Sequence, residues 1–486
     1  MSGTKETAVA KGRTVTKGMT YNEVMARKGE IMNQAIGIDY SRFERGTLSF
    51  DYEQMMRTVG YSLEESRRIQ LETGVGNTPL VELPNLTALA RLYAPTGKGA
   101  RIFVKDEAAN PSGSFKARRA ALSVYEAVRR GFPGVIAATS GNYGAAVASQ
   151  AAKRRIPCLI VQEVFDSRGL GQPEIIEKSR ACEAYGAEVI QLSVGPELFY
   201  VFLKLLEETG FFNASLYTPF GIAGVETLGW ELVEQTRLLT GRDPDAVVVT
   251  HAGGGNVTGT ARGMHKNSCY APVIGVSIDL KGLHMASNTD FNRKSFTTGH
   301  TGFGIPFAVW PDRSDVPRNA ARPLRYLDHY VTVTQGEAFY VTEVLAQLEG
   351  LERGPAGNTS LAAAFALAQE MDQEQIIVVQ ETEYTGAGKH PQAQLTFARQ
   401  NGIEVRRGNP QESVPGQNII IPQDPGQIRA VEVDLDNLRS SYLKNISGQV
   451  KTPLVQADLE FLGQEIRWPQ DRIVQELHEL GIALAE

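Results

Sequence analysis

Apolar positions along the chain follow two alternating patterns, short continuous runs and longer stretches with a helical period. The continuous runs predict buried strands at residues 101–106, 134–138, 157–161, 188–192, 246–250, 273–278 and 375–380. The helical period predicts helices at residues 117–126, 145–154, 173–185, 225–239, 257–265, 337–348 and 361–371. Strands that alternate with helices predict the α/β fold class, with two doubly wound open parallel-sheet domains and a ligand cleft between them.

Residue composition and spacing divide the chain into three regions. Residues 1–70 hold charged segments with helical spacing, so we expect a helical N-terminal extension that packs on the main body or on a partner. Residues 71–408 hold the alternating strands and helices, and we expect two interleaved domains there, the smaller at about 117–220. Residues 409–486 begin with a stretch rich in Asn, Pro, Gln and Gly and predict a C-terminal appendage.

Composition and charge narrow the function without defining it. The 486 residues carry a formal net charge of -6, which gives no indication of a nucleic-acid or anionic-membrane partner. No run approaches the roughly 18 apolar residues of a membrane span, and the N-terminus lacks the apolar core of a secretory signal. The scattered cysteines Cys158, Cys182 and Cys269 predict small buried thiols, no disulfide framework, no metal site and a cytoplasmic location.

A lysine at the start of a predicted helix is the first candidate for chemistry. Lys116 follows a Pro- and Gly-containing turn, in which Ser112 or Ser114 is a plausible helix cap. The unpaired N–H groups and the dipole of a helix N-terminus disfavour a protonated amine, which suits a neutral nucleophile or a Schiff-base lysine. In isolation the same pattern more often marks a solvated lysine, so the motif alone leaves both interpretations open.

Two glycine-containing turns stand between predicted strands and predicted helices. The run 253–256, Gly-Gly-Gly-Asn, brings backbone N–H groups close enough to hold a phosphate, although a tight turn alone would use the same residues. The run 139–144, Thr-Ser-Gly-Asn-Tyr-Gly, offers hydroxyl, amide and backbone donors to a carboxylate, although a capped helix start explains it equally well. Neither run matches a Walker A or a dinucleotide-binding sequence.

Together, the lysine and the two loops suit a phosphorylated aldehyde cofactor that acts on an amino acid. On these residues the chain resembles the fold type II pyridoxal-phosphate enzymes, the family of threonine synthase and cysteine synthase. The segments that carry the resemblance appear in family order and are 76–80, 105–116, 139–142, 253–256 and 380–382. They cover about residues 70 to 390, and the resemblance implies pyridoxal 5'-phosphate in the cleft between two domains.

The resemblance also implies a role for each residue of these motifs. Lys116 would bind the cofactor covalently, beside Phe115, and Asn142 would hydrogen-bond the oxygen on the cofactor ring. Thr382 would place its hydroxyl against the pyridine nitrogen. The phosphate would lie on the loop formed by Gly253, Gly254, Gly255 and Asn256. The substrate carboxylate would lie near Thr139, Ser140, Gly141 and Tyr143.

Two positions depart from the threonine synthases. Ala117 follows the lysine in place of an acidic residue, and Gly354 stands where a glutamate is usual. The segments 50–56, 73–79 and 106–119 instead resemble the β subunits of a group of thiolases within the family. That resemblance implies cleavage of 2-amino-4-oxopentanoate with coenzyme A to acetyl-CoA and D-alanine, during the fermentation of ornithine. It also implies a smaller α subunit as partner and a homodimer of this chain within the hetero-oligomer.

Other functions stay open on the sequence. The segment 297–306 has a counterpart in threonine synthases, so threonine synthase or another lyase of the family is the alternative activity. A scaffold subunit without activity is a second alternative, against which the intact Lys116, Asn142 and glycine loop argue. We expect the basic residues Arg118, Arg119 and Arg262 to lie on a solvated surface rather than to contact the phosphates of coenzyme A.

Overall fold

The computed structural model describes residues 20–139, 141–166, 168–195, 197–280, 315–384, 391–448, 450 and 452–485. Two features of the sequence, Ser140 and the segment 297–306, lie outside the described residues. The strands of the described part are β1 (Leu80–Glu82), β2 (Arg101–Asp106), β3 (Val135–Thr139), β4 (Cys158–Phe165), β5 (Glu188–Ser193), β6 (Phe212–Asn213), β7 (Ala246–Thr250), β8 (Val273–Ile278), β9 (His329–Val333), β10 (Ile376–Glu381), β11 (Glu404–Gly408), β12 (Asn418–Pro422) and β13 (Val431–Glu432).

The helices of the same residues surround these strands. They are α1 (Tyr21–Ala26), α2 (Lys28–Ile36), α3 (Tyr52–Val59), α4 (Leu63–Leu71), α5 (Pro84–Tyr93), α6 (Lys116–Arg129), α7 (Asn142–Arg154), α8 (Pro173–Ala184), α9 (Glu197–Thr209), α10 (Pro219–Thr240), α11 (Gly255–Lys266), α12 (Gln335–Glu349), α13 (Asn358–Ala368), α14 (Pro391–Gln400), α15 (Leu435–Ser447), α16 (Gln456–Ile466) and α17 (Gln470–Glu479). None of the helices in the part described combines the length and the apolarity that a membrane span needs.

The larger sheet is mostly parallel and takes its strands from both halves of the chain. Over the described ranges its order is β1-β2-β10-β7-β8-β9-β13, with antiparallel pairing at the two edges. Strand β10 lies between β2 and β7 and pairs in parallel with both. Strands β8 and β10 are buried along their whole length, as expected for strands covered by helices on both faces.

The smaller sheet comes from one contiguous part of the chain. Its order is β5-β4-β3-β6, and its strands pair in parallel. These strands lie between residues 135 and 213, inside the predicted smaller domain at about 117–220. The two sheets confirm the predicted α/β fold class, while the exact domain boundaries stay a prediction.

The two ends of the chain meet on one side of the core. The Tyr52 ring in α3 stacks on the Phe461 ring in α16, with 6.2 Å between the ring centroids. Arg322 joins them, because its guanidinium donates to the hydroxyls of Tyr52 and Tyr442 at 3.0 and 2.9 Å. The predicted N-terminal extension and C-terminal appendage therefore contact each other. Strand β13 of the appendage also extends the larger sheet.

Some elements differ from the prediction. The apolar pattern predicts no element at residues 197–209, where the structure has α9. Apolar residues run almost without a break through the first turns of this helix and hide its period. The helical extension predicted within residues 1–70 includes two successive helices, α3 and α4, because Ser62 caps a new helix at Leu63 with a capping box.

A buried cluster of charges fixes the position of α6. Arg118 is fully buried, and its guanidinium donates to Glu107 and to Glu231, each at 2.7 Å. Lys105 donates to Glu231 at 3.2 Å, so two cations and two carboxylates balance away from solvent. Burial alone would raise the pKa of Glu231, but the Arg118 guanidinium lowers it to about 2. The cluster ties α6, which begins at Lys116, to β2 and α10.

Candidate active site

Lys116 is the first residue of α6, as the sequence predicts, but the predicted serine cap is absent. The N-cap is Phe115, and no side chain caps the helix there. The carbonyls of Ser114 and Phe115 accept the N–H groups of Ala117 and Arg118 at 3.1 and 2.9 Å, so a hydroxyl cap is not used. The Ser114 hydroxyl is instead buried without a hydrogen-bond partner in the described structure.

The loop before Lys116 is tied to the end of strand β10. The Phe115 N–H donates to the Thr382 carbonyl at 3.1 Å, and the Tyr384 N–H donates to the Gly113 carbonyl at 2.7 Å. The Lys116 amine lies over the Phe115 ring, with 4.8 Å from Nζ to the ring centroid. Thr382 thus lies beside the lysine loop, and the contact of its hydroxyl with a pyridine nitrogen stays a prediction.

The environment of Lys116 favours a neutral amine. Burial lowers the pKa of Lys116 from 10.5 to about 7, and the positive charges of Lys178 and Arg119 act in the same direction, against the charge of Glu174. Roughly half of the amine is then uncharged at pH 7, compared with well under about 1% at the ordinary pKa. The neutral state that the sequence predicts from the helix dipole is therefore favoured mainly by burial.

A second buried lysine, which the sequence did not single out, lies near the first. Lys178 in α8 is 3% exposed, and its ammonium pairs with the Glu174 carboxylate. A Cβ placed on Gly141 would lie 3.1 Å from the Lys178 Nζ, so the ammonium lies against the turn that precedes α7. The Gln394 amide donates to Glu174 at 3.0 Å. The only sequence signal is a Glu and a Lys four residues apart, which usually marks a solvated helix face.

Some polar groups of the turn before α7 hydrogen-bond within the turn itself. The Thr139 hydroxyl accepts hydrogen bonds from the N–H groups of Gly141 and Gly144 at 3.0 and 3.3 Å. This is the local helix-start role that the sequence left open beside carboxylate binding. Asn142 opens the helix, and its amide donates to the Glu383 carboxylate. The Asn142 Oδ1 is buried without a partner in the described structure, so the amide oxygen is open to a ligand.

Tyr143 lies in the hydrophobic core. Its side chain is 1% exposed, and its hydroxyl donates to the Ala214 carbonyl at 2.5 Å. That bond links the start of α7 to the segment after β6. The family resemblance implies a place for Tyr143 near the substrate carboxylate, which stays a prediction, and the structure shows its side chain supporting the loop from the core side.

The glycine loop between β7 and α11 is a cradle that admits no side chain. A Cβ on Gly253 would overlap the Tyr217 hydroxyl, and one on Gly255 would overlap the Arg119 guanidinium. Gly254 is the N-cap of α11 with φ 81°, and a Cβ there would lie 2.7 Å from Cγ of Pro323. The loop thus presents bare backbone at the positive end of α11, as a phosphate site requires.

Of the three arginines expected at a solvated surface, Arg118 and Arg119 are buried and Arg262 is mostly buried, so that prediction is wrong. Arg118 is fully buried in its charge cluster, and Arg119 is 3% exposed. Arg262 has a side chain 11% exposed and donates to Glu226 at 2.6 Å. For Arg118 and Arg119 the expectation fails because α7 and α10 both pack on α6, so side chains on different faces of this helix are buried. Arg262 lies in α11, which packs on α10 and so brings it to Glu226.

Several unpaired polar atoms lie at the turns, strand ends and helix starts that carry the candidate site. Within the described ranges, those buried without a hydrogen-bond partner include Ser112 Oγ, Ser114 Oγ, Arg119 Nε, Asn142 Oδ1, Thr250 Oγ1 and Asn256 Oδ1. Native proteins leave few buried polar groups unpaired, so this arrangement indicates a polar ligand. Together with the amine and the glycine cradle, these atoms fit a phosphorylated cofactor with several hydrogen-bonding groups.

The cysteines are buried free thiols, as predicted. Burial raises the pKa of Cys182 to about 12, and it also raises the pKa values of Cys158 and Cys269. These thiols therefore stay protonated at neutral pH and are poor nucleophiles. Among the residues described, no group of three or more His, Cys, Asp or Glu side chains is placed to hold a metal ion.

Comparison with known proteins gives one family. Residues 71–383 match the family described as pyridoxal-phosphate dependent enzyme. A protein of Acetoanaerobium sticklandii named 2-amino-4-ketopentanoate thiolase beta subunit is 67% identical over 454 residues, which are 93% of this chain and 97% of that protein. The threonine synthase of Halalkalibacterium halodurans is 28% identical over 195 residues, which are 40% of this chain and 49% of that protein. A solved structure of the threonine deaminase of T.th. has the same fold, with a TM-score of 0.54 and 24% identity over 67% of this chain and 97% of that chain.

Proposed function

The chain belongs to the pyridoxal-phosphate-dependent enzymes, and from this premise we propose that it cleaves 2-amino-4-oxopentanoate with coenzyme A. The observation that carries the proposal is the 67% identity, over nearly the whole of both chains, with a protein named as a thiolase subunit for this substrate. The site supports the proposal, because Lys116 has a lowered pKa and lies near two helix starts that suit anions. The start of α11 suits a phosphate, and the start of α7 suits a carboxylate.

The proposed reaction breaks one carbon–carbon bond and forms one carbon–sulfur bond. The bond between C3 and C4 of the substrate breaks, and the C4 acetyl group is joined to the sulfur of coenzyme A. The thiol releases one proton and C3 takes up one proton, so acetyl-CoA and alanine balance the two reactants. We propose the D form of alanine and a place in ornithine degradation, which the sequence resemblance implies.

Bound pyridoxal phosphate supplies an electron sink that stabilises negative charge beside the substrate amino group. Lys116 would hold it covalently, next to Phe115, and Asn142 would face its ring. The loop 253–256 would hold the phosphate, since a Cβ at any of its three glycines would lie under 3.0 Å from a neighbouring atom. The Thr382 hydroxyl remains the proposed partner of the pyridine nitrogen.

Lys116 is also the proposed carrier of the proton at the α-carbon of the substrate. A proton carrier works best when its pKa lies near the working pH. The pKa of about 7 gives the Lys116 amine that property. The same amine would return the proton when the product forms.

The start of α7 is the proposed seat of the substrate carboxylate. Backbone N–H groups at a helix start attract anions, and Thr139 and Gly141 flank the start of α7. Ser140 remains a proposed contact of the carboxylate from the sequence alone. The ammonium of Lys178 lies against the same turn and adds a positive charge. Tyr143 holds the turn from the core side through its bond to Ala214.

The buried thiols support direct use of coenzyme A. Thiolases that store an acyl group on the protein need a reactive cysteine thiolate. Cys158, Cys182 and Cys269 are buried, and burial raises the pKa of each. The thiol of coenzyme A is therefore proposed to react with the C4 carbonyl of the substrate without an acyl-protein stage.

A smaller partner subunit is part of the proposal. The relative in Acetoanaerobium sticklandii is named a beta subunit, and it covers 93% of this chain. We propose that this chain assembles in the same way, with a homodimer of the chain inside the complex. The alternative of a threonine synthase has less support, because that match reaches only 40% of the chain.

The test is product formation by the purified two-subunit complex. With 2-amino-4-oxopentanoate and coenzyme A, we expect acetyl-CoA and alanine in equal amounts, measured by liquid chromatography with a chiral column for alanine. Omission of coenzyme A is the control and should abolish both products. Turnover of O-phosphohomoserine without formation of acetyl-CoA would contradict the proposal and return the chain to the threonine synthase group.

The uptake of pyridoxal phosphate by the cofactor-free protein is expected to speed up with pH, with a midpoint near 7. Only the neutral amine reacts with an aldehyde, and burial lowers the pKa of Lys116 to about 7, so uptake is slow below this pH and fast above it. The rate is followed by absorbance in stopped-flow mixing between pH 5.5 and 9.

Lys178→Met is expected to move that midpoint to higher pH. The change removes a positive charge that lowers the pKa of Lys116 and leaves the opposing Glu174 carboxylate in place. Lys204→Met is the matched control, because Lys204 lies in α9 with a side chain 38% exposed, and its midpoint should equal the wild-type value. A wild-type midpoint near the ordinary lysine pKa would contradict the burial argument.

A further inference from the structure

Arg119 is a buried cation without a counter-ion in the described part of the chain. Its side chain is 3% exposed, and no described carboxylate lies within ion-pair distance. One N–H of its guanidinium donates to the Leu216 carbonyl at 3.3 Å, while Nε has no described partner. The neighbouring Arg118 is buried to the same degree but has two carboxylates, Glu107 and Glu231. The two arginines therefore differ in what balances their charge.

An uncompensated buried charge is strongly unfavourable, so proteins rarely keep one without a partner. Burial also lowers the pKa of Arg119 from its ordinary value. The guanidinium stays charged in proteins, and its donor fork matches the oxygens of a phosphate. The buried Arg119 thus indicates an anionic ligand, since the described part of the chain supplies no counter-ion.

The position of the guanidinium identifies the kind of anion. It lies so close to Gly255 that a Cβ there would overlap it, and Gly255 is the first residue of α11. The N-cap of this helix, Gly254, has no side chain to accept the first N–H groups. The guanidinium also lies over the Phe115 ring, 5.4 Å from its centroid, next to Lys116. Two sources of positive potential therefore converge on the bare backbone of the glycine loop.

We propose that Arg119 binds a phosphate monoester held on the glycine loop, and that this phosphate belongs to pyridoxal phosphate. Coenzyme A also carries phosphates, but the guanidinium lies between the lysine helix and the loop 253–256, where the cofactor phosphate is proposed to bind. The inference rests on the family of the chain and not on the thiolase reaction, so the two can fail separately.

The experiment compares two aldehydes that differ only in the phosphate. The cofactor-free protein binds pyridoxal phosphate or pyridoxal, and the dissociation constants are read from the absorbance of the protein-bound aldehyde. For Arg119→Met we expect about 10- to 100-fold weaker binding of pyridoxal phosphate, the loss typical of charge-assisted hydrogen bonds. Binding of pyridoxal should change by less than about threefold, because it offers no phosphate to the guanidinium.

Two further variants serve as a charge-conserving replacement and as a control. Arg119→Lys keeps the charge without the donor fork and should lose part of the phosphate preference, and it replaces the methionine variant if that protein does not fold. Arg129→Met is the matched control on the same helix, since its side chain is 52% exposed, and it should leave both affinities unchanged. Equal weakening of pyridoxal and pyridoxal phosphate in the Arg119 variants would overturn the proposal.

A third arm distinguishes the two sources of phosphate. The affinity of the complex for coenzyme A and for pantetheine, which lacks the phosphates, is measured by calorimetry. The proposal expects Arg119→Lys to leave both affinities unchanged. A selective loss of coenzyme A binding, with normal binding of pyridoxal phosphate, would assign Arg119 to the second substrate instead and would overturn the proposal.

Discussion

Replacement of Lys116 by alanine is expected to abolish the absorbance of the lysine-bound cofactor and to lower turnover by about 10³-fold or more. The variant loses both the covalent attachment and the proposed carrier of the α-carbon proton. The side chain makes no described ion pair, and its amine only lies over the Phe115 ring, so the fold should survive its removal. Turnover is measured as acetyl-CoA formation, and the absorbance spectrum is recorded on the same sample.

The matched control for this variant is Lys204→Ala. Lys204 is an exposed lysine of α9, and its removal should leave spectrum and turnover at the wild-type level. Addition of a small amine such as methylamine to Lys116→Ala should restore part of the turnover if the missing group is a proton carrier. A Lys116→Ala complex that keeps a tenth of the wild-type rate would rule out the catalytic role of this lysine.

Replacement of Arg118 by methionine is expected to lower the free energy of unfolding by about 3–5 kcal/mol. The variant leaves Glu107 and Glu231 buried with Lys105 as their remaining cation, so one carboxylate charge is left uncompensated. The measurement is urea denaturation of the cofactor-free protein, followed by circular dichroism. Arg42→Met, at an exposed position outside the cluster, should change the free energy by less than about 0.5 kcal/mol.

The pH dependence of this loss has a defined sign. The folded protein lowers the pKa of Glu231 from 4.5 to about 2, so its stabilising effect is present above pH 4.5 and disappears as the pH falls towards 2. The stability difference between the wild type and Arg118→Met should therefore shrink in acid. A difference below about 1 kcal/mol at pH 7 would show that the buried cluster does not stabilise the fold.

Local sequence patterns were sufficient for the elements that carry the site. Lys116, the turn 139–144 and the loop 253–256 each stand where an apolar run meets a helical period, and strand ends of parallel sheets meet at one edge. The lysine helix begins at Lys116 and α11 at Gly255, close to the predicted starts. The chemistry of these turns was visible because their residue types are unusual for ordinary loops.

The burial and the partners of single side chains could not be predicted, because they depend on contacts between distant parts of the chain. Arg118 and Arg119 are adjacent in sequence, yet one meets Glu231 and the other meets Gly255. Nothing in the local pattern of α6 distinguishes these two from an exposed basic pair. Lys178 was missed for the same reason, since its importance arises from its position against Gly141.

The pairing of Ile376 with Arg101 determines when the site can exist during synthesis on the ribosome. The smaller sheet needs only residues up to Asn213 and can form while the rest of the chain is still being made. Strand β10 must then insert between β2 and β7, and only afterwards does the Thr382 carbonyl hold the Phe115 N–H beside the lysine. We therefore expect the nascent protein to gain its reactive amine only near the end of translation. Until then Lys116 keeps the ordinary high pKa of an exposed lysine, so an unfinished chain would react with cellular aldehydes no faster than through its other lysines.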